Sequence, residues 1–214
     1  MLENLGFLTV IDQFPSGLAG GYLVLNKAGH PLEFHCSMPL LPEKIQQILY
    51  GDALQPFLYG ERIANTLLQR SKLPVFAVLT NHAAVLPVQS LVSSPVIYVF
   101  GEPTKPEGDD IPLPVHEISE EFSESLKGFG IDNAQLRTWS SCPGEMPQIP
   151  LVPGFDTRNW RTVRIGNRLI AVPGAEATAW ELLTAEIKET AHTIDLLEPF
   201  SRIRLALDEA KNAA

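Results

Sequence analysis

Among the side chains of this 214-residue sequence that could do chemistry are histidines, two cysteines and one cluster of arginines. His116-Glu117 opens like an H-E-x-x-H zinc helix. Ile118-Ser119-Glu120 follow instead, so the second histidine needed to hold zinc from one helix face is missing. His35 and Cys36 are adjacent on a segment that reads as a strand. They therefore point to opposite faces and cannot pair as base and nucleophile without a bulge. Cys36 reads as a small core residue and His35 as a surface one. Cys142 precedes Pro143-Gly144 in a loop where a thiol could be exposed and reactive; with no basic neighbour mapped beside it, a structural thiol is expected. Arg158, Arg161, Arg164 and Arg168 surround Trp160, and guanidinium groups along a hairpin beside an aromatic ring suit phosphate contact and base stacking. The same four also fit the wet face of an amphipathic hairpin, paired with acids such as Asp156. No G-x-x-x-x-G-K-S/T phosphate loop, G-x-G-x-x-G turn, G-x-S-x-G elbow or complete H-E-x-x-H helix occurs.

The elements that must position these residues are legible in the pattern of apolar side chains. Phe7 to Asp12 and Tyr22 to Leu25 are β-rich runs separated by Phe14-Pro15-Ser16-Gly17, and Asn26-Lys27-Ala28-Gly29 turns the chain again. Pro31 to Ser37 supplies a third strand, with Leu32, Phe34 and Cys36 alternating against Glu33, His35 and Ser37. That alternation predicts an apolar buried face and a polar outer one. From Pro42 the spacing becomes helical, with Ile45, Ile48 and Leu49 on one face, a break at Gly51 and a restart near Asp52 with Pro56 in the first turn. Ile63, Ala64, Leu67 and Leu68 then form a stripe that can lie on a sheet. Val75 to Leu79 and Val96 to Phe100 are short continuous apolar runs, as central strands covered on both faces should be. Trp160 to Ile165 and Arg168 to Val172 flank Gly166-Asn167, a hairpin signal. Ala177, Trp180, Leu183 and Ile187 recur at helical spacing, and Glu198 with Arg202 and Arg204 with Asp208 form i,i+4 pairs on a last helix. The expected fold is α/β: an N-terminal antiparallel three-strand meander, helices and further strands in a mixed sheet, then a C-terminal β-hairpin and two helices. Residues 1–214 are expected to form a single compact domain with exposed proline-rich connections at 101–116 and 141–156.

Composition bounds the function. An apolar fraction of 45% with 19% charged residues is that of an ordinary globular chain, and this length can bury a sizeable core. Sixteen basic side chains against 25 acidic ones give a net charge of −9, which disfavours nucleic acid and anionic lipid as partners. Two cysteines without a CxxC pair, no N-x-S/T acceptor, no secretory leader and no run long enough to span a bilayer point to a cytoplasmic protein.

The order of the first elements carries a resemblance. Asp12 closes an apolar strand, Gly20-Gly21 opens the next, three strands precede a helix bearing Glu61, and a strand then ends at Asn81. Over roughly residues 7–100 this order resembles the start of the ribonuclease H-like superfamily. The resemblance implies an aspartate on the first strand, a glutamate on the first helix and an aspartate ending the fourth strand, gathered around Mg or Mn. Asp12, Glu61 and Asn81 fall at those places. The chain departs from the pattern at Asn81, a neutral amide where two hard cations need converging carboxylates, and its fourth acid cannot be assigned among Asp132, Asp156 and Glu176. Asp12 also reads as a turn-capping residue, Glu61 as a solvated helix residue and Asn81-His82 as a turn.

Two functions are therefore expected, with enzymatic activity left open. The first is a non-catalytic interaction or assembly module, docking a protein partner or a second copy through the apolar faces of its last helices and needing no cofactor. The alternative is a degenerate ribonuclease H-like metal-dependent nuclease or phosphoryl-transfer enzyme, with Asp12, Glu61 and Asn81 around Mg or Mn.

Overall fold

The computed structural model describes residues 4–13, 16–101, 149–166, 168–174 and 177–212, the side chains of 177–180 apart. Its first three elements are the expected meander: β1 (Leu5–Asp12), β2 (Leu18–Leu25) and β3 (Pro31–Cys36). β1 pairs antiparallel with β2 from Leu5 opposite Leu25 to Asp12 opposite Leu18, and β2 pairs antiparallel with β3. Gly20 and Gly21 sit side by side in β2, whose eight residues are all buried. A Cβ on Gly20 would meet Ile63 and one on Gly21 would meet Ile203, so the pair lets helices close on both faces of the sheet at one point.

A crossover follows. α1 (Lys44–Tyr50) starts at a capping box, in which Glu43 and Gln46 satisfy each other's backbone N–H groups. The expected break at Gly51 is present, with φ of 51°. The chain nevertheless stays helical, through a 3-10 turn (Gly51–Ala53), α2 (Leu54–Pro56), a π-helix (Phe57–Ala64) and α3 (Asn65–Arg70). Ile63, Ala64 and Leu67 line the buried stripe as predicted. β4 (Ala77–Thr80) then runs parallel to β1, a 3-10 helix (Ala83–Ser90) crosses, and β5 (Val96–Val99) runs parallel to β4. Both short strands are buried throughout, as their continuous apolar runs predict.

β6 (Arg161–Ile165) and β7 (Arg168–Val172) form the expected hairpin, with β7 antiparallel to β5. The result is a seven-stranded mixed sheet in the order β3-β2-β1-β4-β5-β7-β6. α4 (Ala177–Ala191) and α5 (Glu198–Asn212) close the chain. One face of the sheet packs Leu8, Val10, Tyr22 and Val78 against the crossover helices. The other packs Phe7, Leu23, Ile97 and Ile170 against Ile187, Phe200, Ile203 and Leu207. Leu183 and Ile187 of α4 and Phe200, Ile203 and Leu207 of α5 are thus taken up by the sheet and do not form a free docking surface, while Leu182 and Leu205 stand exposed. Among the described residues no helix is long and apolar enough to cross a membrane.

Two expected surfaces are reversed. On β3 it is Leu32, Phe34 and Cys36 that face outward, while Glu33 and His35 are half-buried. The carboxylate of Glu33 decides the facing. It accepts bonds from the Ser71 hydroxyl at 2.8 Å and from the backbone N–H groups of Lys72 and Leu73, and His35 Nε2 lies 2.8 Å from its other oxygen. On α1 no side chain is buried, and Ile45, Ile48 and Leu49 stand 60–74% exposed. On α5, Glu198 pairs with Arg202 at 2.6 Å, whereas Asp208 takes a bond from Gln13 at 3.3 Å rather than one from Arg204. Of the two expected connections, Gly101 and 149–156 are described, and Val152 and Phe155 form a bridge in the second. His116, Glu117, Asp132, Cys142 and Glu176 lie outside the described residues.

Candidate functional site

Because β1, β4 and β5 run parallel, their carboxyl ends open on one edge of the sheet, where ligands of α/β proteins commonly bind. Leu8 opposite Thr80 is the last registered pair of β1 and β4, which makes Thr9 and Asn81 the next neighbours. The Thr9 hydroxyl, on a side chain 3% exposed, donates to Asn81 Oδ1 at 2.8 Å. The next residue, His82, donates its backbone N–H to Thr80 Oγ1 at 3.3 Å and lays its ring against Tyr59 of the π-helix, centroids 4.6 Å apart. Such π turns inside helices are frequent at functional sites.

Asn81, His82 and Tyr98 line a cavity of about 250 Å³ with Gln55, Pro56, Ala83, Ala84 and residues 150–153. A wider hollow of about 580 Å³ adjoins it, sharing Gln55, Leu151 and Pro153 and running over Leu18, Asp52, Leu54 and Tyr59. Among the described residues, neither lining contains a lysine or arginine. Burial pushes the His82 imidazole down, so its neutral form is favoured, and its buried Nδ1 has no hydrogen-bond partner among the described residues. Burial pushes both Tyr59 and Tyr98 up; at Tyr59 the Gln55 side chain pulls the other way and the charge of Asp12 adds to the rise. The smaller cavity is therefore an uncharged, hydrogen-bonding space at neutral pH. It falls below the roughly 300–1,000 Å³ of drug-sized sites and suits a single ring system.

The sequence-predicted residues fare differently. Asn81 is in the cavity wall. Asp12, three positions beyond Thr9, ends β1 with its side chain exposed, about 10 Å further along at strand rise. Glu61 is exposed on the π-helix. Neither the Asp12 nor the Glu61 side chain makes an ion pair or hydrogen bond among the described residues, and no three histidine, cysteine, aspartate or glutamate side chains gather there to hold a metal. The β1 residue that faces Asn81 is Thr9, not Asp12. A neutral hydroxyl bonded to a neutral amide does not fit a pair of hard cations, which require several carboxylate oxygens.

Of the arginines, Arg158 is held by Asp156 at 2.7 Å and Arg168 by Asp195 at 2.9 Å. Arg161 and Arg164 are exposed on β6, the outer strand. Trp160 is half-buried with its ring against Phe155, so it is not an open stacking platform. The sequence reading missed Thr9, Gln55, Tyr59 and Tyr98. At Thr9 a signal existed: a hydroxyl between Phe7 and Ile11 on a buried strand face requires a partner.

Two solved structures of Ciona intestinalis endonuclease V, one of them a single-site variant, are similar to this chain at 14% identity. They have TM-scores of 0.44 and 0.43 and cover 95% of this chain and 86% of theirs. Each is in complex with DNA containing an inosine followed by a ribo-adenosine. No protein-family model matches the chain, and no curated protein matches it. The sequence reading expected a protein partner or self-association and disfavoured nucleic acid, whereas both of these neighbours hold DNA. Net charge is an average over the whole chain and does not decide a local contact.

Proposed function

We propose that the chain is a degenerate ribonuclease H-like domain of the nuclease type. It engages a nucleic-acid strand at the carboxyl ends of β1, β4 and β5 without running metal-dependent phosphoryl transfer. The observation that carries this reading is the bond from Thr9 to Asn81, which puts a neutral pair where such chemistry calls for carboxylates. The cavity beside it supports the ligand class. Gln55, Asn81 and His82 offer hydrogen-bonding edges and Tyr98 an aromatic wall, the groups that read and stack an unpaired base. Arg164, exposed on β6, supplies positive charge for phosphate contact. This reading is preferred to the protein-interaction module, because Ile187, Phe200, Ile203 and Leu207 of the two last helices are packed on the sheet.

The test is fluorescence anisotropy with labelled single- and double-stranded DNA and RNA, with and without Mg2+ or Mn2+, alongside denaturing gels. Binding without cleavage, weakened by salt, is expected. Absence of binding to every strand would overturn the ligand class. Mn2+-dependent cleavage that disappears in Asp12→Asn or Glu61→Gln would overturn the degenerate reading.

A further inference from the structure

We propose that the Thr9–Asn81 hydrogen bond does without a cation what a shared metal does between paired carboxylates: it clamps the carboxyl end of β1 to that of β4 over a latent cation position. The clamp is built from two adjacent rungs of a parallel ladder. Leu8 and Thr80 are registered, Thr9 and Asn81 come next, and the hydroxyl reaches the amide oxygen at 2.8 Å. On its other side Thr9 faces Gly21, which has no side chain, so Asn81 is its lateral partner. Thr9 is 3% exposed, and a hydroxyl buried there without an acceptor is costly. Asn81 is the first residue beyond β4, ahead of the 3-10 helix that lines the cavity, so fixing its amide also fixes the cavity wall.

A hydroxyl and an amide need no counter-ion, whereas two ionised carboxylates at the same positions would repel each other beside the buried Thr9 backbone. A hard divalent cation, which takes oxygen ligands, is the group that relieves that repulsion. The proposal rests on the reading above only in holding that the wild-type strand ends are neutral.

Thermal unfolding of the full chain in EDTA, Mg2+ or Mn2+ tests it. The wild-type midpoint should be the same in all three. Thr9→Val, which keeps the shape and removes the donor, should unfold several degrees lower whatever the cation, and Thr9→Ser should restore most of the loss. Thr9→Asp/Asn81→Asp should unfold low in EDTA and rise saturably with Mn2+. A Thr9→Val variant as stable as wild type would overturn the clamp. A double variant whose midpoint ignores Mn2+, or that stays unfolded in saturating Mn2+, would overturn the latent site. A wild-type midpoint that climbs saturably with Mn2+ would sink this proposal and the degenerate reading together, whereas absence of oligonucleotide binding alone would overturn only the ligand class proposed above and leave the clamp standing.

Discussion

The carboxylate of Glu33 accepts the hydroxyl of Ser71 at 2.8 Å, tying the edge strand β3 to the end of α3 across 38 residues of sequence. Burial by itself would push this carboxyl up. Ser71, His35 and the backbone N–H groups of Lys72 and Leu73 outweigh that effect and hold it at about 2. The folded value lies below the ordinary 4.5, so the stabilisation is complete above pH 4.5 and is lost as pH falls toward 2. Glu33→Ala leaves four donors without their acceptor and is expected to cost roughly 1–3 kcal/mol at neutral pH. Denaturant midpoints should show that gap closing between pH 4.5 and 2; a gap constant with pH would contradict the assignment.

His82 supplies a second pH dependence. Its folded value is depressed by burial, so its contribution is present above the ordinary 6.5 and declines as pH drops below it. His82→Phe keeps a ring against Tyr59 and removes the titration. Melting curves of the two proteins from pH 8 to 5 should converge toward the acid end, and parallel curves would show that the imidazole is not held neutral.

The glycine pair in β2 makes a face-specific prediction. Gly20→Ala and Gly21→Ala should each destabilise by about 1–3 kcal/mol through overpacking. Ile63→Ala should relieve Gly20→Ala but not Gly21→Ala, and Ile203→Ala should do the reverse. Double-mutant cycles read out the pairing, and equal coupling for all four combinations would contradict it.

Cys36 faces outward from β3. In a Cys142→Ser background, the native protein should react with a thiol-specific reagent at a rate close to that of the unfolded chain. Reaction only after denaturant is added would restore the core assignment read from the sequence.

What was legible in the sequence follows from the range of the forces involved. Period-two alternation, continuous apolar runs and the Gly166-Asn167 turn signal are local, and they located β1 to β7 and both closing helices. The facing of β3 was not local. Leu32 and Phe34 look like core residues until Ser71, Lys72 and Leu73 are brought beside Glu33, and only the fold does that. The site was read through its acids, which drew attention to Asp12, whereas strand register places Thr9 against Asn81. Threonine is a common strand former, so its type alone does not separate a ladder position from a clamp. Asn81 could be placed at the end of β4 because the end of an apolar run is a local fact.

The central claim is that the wild-type strand ends hold no metal centre. Electron paramagnetic resonance of free Mn2+, titrated with stoichiometric protein, tests it most directly. The manganese signal should remain undiminished as protein is added. Loss of one or two equivalents of signal, reversed by Asp12→Asn or Glu61→Gln, would contradict the account.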